Sequence, residues 1–110
     1  MNANGIIRGY MACHMKVDSF ASHVAHCVRR QLLEFEPTAI FHMDHHTNFF
    51  LFYGKAFSKT FLLLLTFAEV EALKAEGPYA LDRCIWEEIQ AKGLSIENTT
   101  HYLQMVFGNK

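Results

Sequence analysis

Seven histidines stand among the 110 residues, and the densest run is His42-Met43-Asp44-His45-His46. Imidazole nitrogen and carboxylate oxygen are donors that suit zinc, iron or manganese. The run follows a short apolar segment, so a turn at the end of a strand could aim several of these groups at one point. Alternation along a strand sets the condition. His42 and Asp44 share a face, while the direction of His45 and His46 depends on the turn. An exposed polar hairpin turn is the plainer account. No cofactor is therefore expected, and zinc or another divalent ion on His42, Asp44, His45 and His46 is the alternative.

A second cluster falls four residues apart on a helical repeat, where His23 and Cys27 become neighbours. With Cys13 or His14 they could complete a small zinc site. A thiolate beside an imidazolium could also act as a nucleophile, but no third group that would orient the pair can be picked out. A structural histidine at the border of an apolar stripe accounts for the same residues. His26, Arg29 and Arg30 lie on the opposite side of that helix. Two guanidiniums on one helix can grip carboxylates or phosphates, so this face is a candidate contact for a protein partner, with solvated surface charge as the competing explanation.

The tripeptide Asp44-His45-His46 resembles the signature of the DHH phosphoesterases. Those enzymes need further aspartates from other strands, and the only others here, Asp18 and Asp82, stand in no matching motif. The resemblance is set aside.

The last third contains Leu81, Cys84, Ile85 and Ile89 at helical spacing, with Trp86 and Asp82 toward the edge of that stripe. A half-exposed tryptophan is a common anchor of protein interfaces, so Trp86 and Asp82 are expected to mark a contact surface, unless Trp86 caps the core. Glu88 falls within the stripe and needs either a partner or the rim.

These groups must be held by a folded scaffold, and composition supplies one. Half the residues (51%) are hydrophobic, 14% are aromatic and the net charge is −1, which is incompatible with a disordered chain and lacks the basic excess of a nucleic-acid binder. Three cysteines without a CxxC pair suit a reducing compartment. The longest apolar run, Phe61 to Leu65, is far too short for a membrane span, and Arg8 and Lys16 interrupt any signal peptide. The expected location is cytoplasmic, with no membrane contact.

The elements follow from periodicity and punctuation. Ile6–Met15 reads as a strand. A helix capped by Asp18 or Ser19 runs to just before Pro37. Thr38–Met43 and Phe49–Tyr53 read as a hairpin around a polar turn, Gly54 breaks the chain, and Phe57–Phe67 is a third, longer strand. Thr66 and Glu69 form a capping box for the next helix. Pro78 opens another that stops at Gly93, and His101–Phe107 is a closing strand. The order is β-α-β-β-β-α-α-β, a single α+β domain over 1–110 with a mostly antiparallel sheet of four to five strands and helices on one face.

Both parities are apolar in Phe49–Tyr53 and in Phe61–Leu65, so both faces of those strands want cover. Three helices cover one face. A second copy of the chain would cover the other, and a homodimer is expected. Standard catalytic and nucleotide-binding signatures are absent. The reading that results is a non-catalytic interaction or regulatory protein, with another protein as partner. The alternative is a small metal- or ligand-binding protein using the histidine-rich segments.

Overall fold

The computed structural model describes residues 5–93 and 100–108. The long amphipathic stretch forms helix α2, Val17–Phe35. Phe20, Ala21, Val24, Cys27, Val28, Gln31 and Leu32 are buried along one side of it, as their 3.6-residue spacing requires. The helix stops at Glu36, whose backbone is extended (φ −143°, ψ 98°), because the following Pro37 excludes the helical conformation for the residue before it.

Three strands follow, β1 (Ile40–His45), β2 (Phe49–Ala56) and β3 (Lys59–Thr66), in an antiparallel sheet of order β1-β2-β3. Across the sheet the rows run Phe41–Gly54–Phe61, His42–Tyr53–Leu62, Met43–Phe52–Leu63 and Asp44–Leu51–Leu64. Phe41, Phe50, Phe52, Ala56, Phe61 and Leu65 point into the core shared with the helices. Gly54 does not break the chain as its type suggests. It sits inside β2, where a Cβ would run into the Ile40 carbonyl and lie 3.0 Å from Cζ of Phe61, and the rings of Phe41 and Phe61 come to 6.0 Å in the row it occupies. The turn between β2 and β3 is instead Phe57–Ser58, both in the left-handed region (φ 53° and 66°). That twist matches a two-residue hairpin, although neither residue is the glycine or asparagine that usually signals one.

Two expected strands are helices. Ile6–Met15 lies in α1 (Gly5–His14) and the turn after it, and His101–Phe107 is α5 (His101–Val106) with its C-cap. The expected four- to five-stranded sheet therefore has three strands, and the order is α-α-β-β-β-α-α-α. The α+β class and antiparallel pairing stand; the strand count and order do not. In α1 the inward positions are Arg8, Met11 and Ala12, with Met15 just past its end, a helical repeat with a charged residue in it. In α5, Tyr102, Leu103 and Val106 are buried, which is helical spacing; a strand would have buried alternate residues.

Helices α3 (Phe67–Glu76) and α4 (Ala80–Ala91) form where the punctuation puts them. Thr66 accepts a hydrogen bond from the Glu69 amide, and Glu69 accepts one from the Thr66 amide, completing the capping box. Gly93, in the left-handed region at φ 95°, ends the α4 segment. No helix among the described residues is long and apolar enough to cross a membrane.

Candidate functional site

Two regions concentrate polar or exposed groups, and they differ in access. The first is a closed network among the helices. Arg8 of α1 donates from Nη1 to Oδ1 of Asp82 (2.7 Å) and to the Pro78 carbonyl (2.6 Å), and from Nη2 to Oδ2 of Asp82 (2.6 Å). The Tyr102 hydroxyl donates to the same Oδ2 (2.7 Å), and the Trp86 indole N–H donates to the Tyr102 oxygen (3.2 Å). The guanidinium carbon stands 4.7 Å from the centre of the Tyr79 ring. Arg8, Asp82 and Trp86 are fully buried and Tyr102 nearly so.

Burial disfavours the Arg8 charge, but the Asp82 carboxylate outweighs it and holds the guanidinium above its ordinary pKa. Burial first, and then the Asp82 charge, push the Tyr102 phenol well above its ordinary value. These effects keep Arg8 a cation and Tyr102 a neutral phenol. The network fastens α1, α4 and α5 together, and no solute reaches it.

Trp86 and Asp82, expected at a contact surface, are therefore interior residues. The tryptophan caps the core and its N–H finds a buried partner, the condition under which Trp is stable inside a protein. Glu88 reaches the rim and meets Lys92 at 3.4 Å. His23 Nε2 lies 3.6 Å from Cys27 Sγ, so the helical spacing brings that pair together as expected. Cys27 is buried, and the His23 pKa is lowered, first by burial and then by the Arg8 charge. The sequence does not show an arginine beside this pair, because Ile6–Met15 reads as a strand there and Arg8 reaches the pair from a helix.

His26, Arg29 and Arg30 are all exposed on α2. His26 and Arg29 line a shallow groove of about 230 Å³ against β1, together with Ser22, Phe41 and Met43. A second groove, about 700 Å³, runs between α1 and α3 and is walled mainly by small residues such as Gly9, Ala12, Ala72 and Ala75.

The second region is the outer face of the sheet. Strand alternation divides the histidine-rich run: Phe41, Met43 and His45 lie on the helix side, and His42 and Asp44 lie on the outer side. His45 stacks on Phe50 and Phe67 at 4.9 and 5.5 Å, and His46 on Phe49 at 4.5 Å. The four candidate ligands do not converge, and no group of three or more His, Cys, Asp or Glu among the described residues is arranged to hold a metal. On the outer side the His42 ring packs 5.7 Å from Tyr53, whose hydroxyl donates to Asp44 (3.4 Å).

Around that pair the outer face is apolar. Ile40, Phe49, Leu51, Tyr53, Leu62 and Leu64 share it, and Leu62, Leu64 and Ile40 are 57%, 51% and 49% exposed. Aliphatic side chains on a sheet face are ordinarily covered, and among the described residues the helices that meet the sheet core do so from the other side. The apolar double parity of β2 and β3 was visible in the sequence. That it leaves one contiguous face uncovered by the described residues follows only from the three-strand register. Searches of family models, of curated proteins and of solved structures find no match to the chain.

Proposed function

We propose that this protein is a non-catalytic interaction protein whose working surface is the outer face of the sheet, where it takes an apolar protein surface. The observation that carries the reading is the half-exposure of Ile40, Leu62 and Leu64 on one contiguous face. Leaving such side chains in water forgoes roughly 1.5–3 kcal/mol for each one fully covered, and exposed apolar patches of this kind mark interaction sites. The polar cluster that could do chemistry supports the reading from the other side. Its carboxylate, guanidinium and indole are all inaccessible, so it serves as an internal fastening.

Lys55 on the outer face offers a direct test through amine crosslinking in cells that express the chain. The expected result is crosslinks from this lysine to another polypeptide, lost in a Leu62→Glu/Leu64→Glu variant that keeps its far-ultraviolet circular dichroism. Crosslinks that persist unchanged in the folded variant would move the working surface elsewhere.

A further inference from the structure

We infer that the polypeptide seated on the outer sheet face is a second copy of this chain, packed sheet against sheet about a two-fold axis. The inference rests on the reading of that face as a binding surface and names its occupant.

Three features favour a second copy. The face has the anatomy of an interface with an apolar centre and a polar border. Leu51, Tyr53, Leu62 and Leu64 fill adjacent positions of β2 and β3, while His42 and Asp44 lie on the β1 side and Lys55, Thr60 and Thr66 lie toward the strand ends. The second feature is charge. That face carries one carboxylate, Asp44, and one ammonium, Lys55. It offers nothing to select a strongly charged partner, and two copies can meet without like-charge excess.

The third feature is size. The eight-residue strands β2 and β3 rise about 27 Å, the six-residue β1 about 20 Å, and three strands span about 14 Å, so the face covers roughly 350 Å² in plan on each copy. With the relief of its side chains, two copies bury on the order of 1,000 Å², the low end of specific interfaces. Two three-stranded sheets facing each other at about 10 Å make an ordinary β-sandwich layer, and each copy brings its own helices to the outside. Pairing through the free edges of β1 or β3 would leave Leu62 and Leu64 in water and so removes none of the exposed surface.

The test is sedimentation equilibrium of the full chain from about 1 to 200 μM. The wild type should be a dimer with a dissociation constant in the micromolar range, as the modest area implies. Leu62→Glu/Leu64→Glu should weaken it at least ~100-fold, and Leu62→Thr/Leu64→Thr, which keeps strand-forming branched residues, at least ~10-fold with unchanged circular dichroism. A wild type that stays monomeric across the range overturns the second copy as occupant; the lysine crosslinks then decide separately whether another protein takes the face. A dimer that survives both double variants overturns the inference and the sheet-face reading together.

Discussion

Removing the carboxylate of Asp82 should be among the most damaging single changes in this chain. Asp82 accepts from both terminal nitrogens of Arg8 and from Tyr102, at 2.6–2.7 Å, and both charged side chains are fully buried. Asp82→Ala leaves a guanidinium in the interior with the Pro78 carbonyl as its oxygen partner among the described residues, where the Arg8 Nε–H already has no hydrogen-bond partner. Breaking a buried pair in this way costs about 3–5 kcal/mol, a large share of the roughly 5–15 kcal/mol that holds a domain of this size together. At a urea dependence near 2 kcal/mol per molar, the midpoint should fall by about 2 M. Replacing both partners by apolar residues, Arg8→Met with Asp82→Leu, should cost no more than the worse single variant, because the uncompensated charge disappears with its partner. The assay is a double-mutant cycle by urea unfolding. A loss below about 1 kcal/mol for Asp82→Ala, or a double variant that costs the sum of the singles, would refute the picture of a tightly coupled interior pair.

Three further outcomes follow from particular contacts. Gly54→Ala should destabilise by about 3 kcal/mol or more in thermal unfolding, since the added methyl meets the Ile40 backbone of the neighbouring strand and backbone gives less readily than a side chain. Toward a disulfide reagent the thiols should react in the order Cys13, Cys84, Cys27: Cys13 is exposed, Cys84 is half-buried with its pKa pushed up by burial and by Glu87, and Cys27 is buried. Equal rates for Cys13 and Cys27 would contradict the packing of α2. His23 has a folded pKa below its unfolded value near 6.5, so its contribution is present above pH 6.5 and is lost as pH falls through the folded pKa. His23→Gln should flatten the stability profile below pH 6.5 in urea titrations, and an unaltered slope would place the titrating group elsewhere.

Much of the scaffold was legible because its signals are local. Pro37 stops α2, the Thr66–Glu69 box starts α3, and Gly93 in the left-handed region closes the α4 segment. The two strands that turned out to be helices share a different cause. In α1 the residue that anchors the buried stripe is Arg8, and its solvation cost is met by the Pro78 carbonyl and the Asp82 carboxylate, 70 and 74 residues away. No window of sequence contains Arg8 and these partners together. In α5 the run His101–Phe107 is short enough that alternate and helical spacing are hard to tell apart, and Thr100, which caps it through the Leu103 amide, looks like any polar residue before a strand. Asp82 and Trp86 were misplaced for the same reason as Arg8: a polar edge on a helical wheel reads as surface until its partner is known. The apolar double parity of β2 and β3 is plain in the sequence because parity is a local signal, and the structure shows which parity each helix-facing residue takes: Phe50, Phe52, Phe61 and Leu65 go inward, Leu62 and Leu64 outward.

The Arg8–Asp82 bond also sets an order for biosynthesis. At translation rates of roughly 5–20 residues per second, α1 is made about 4–15 s before the carboxylate it needs, and the Tyr102 that completes the network is made later still. During that interval the Arg8 guanidinium has no carboxylate to meet and stays hydrated, so α1 can lie against α3 but cannot bury its charged position. Docking of α1 is completed only when α4 and α5 are present. A chain truncated before α4 should therefore be cleaved by proteases within α1 more readily than the full chain.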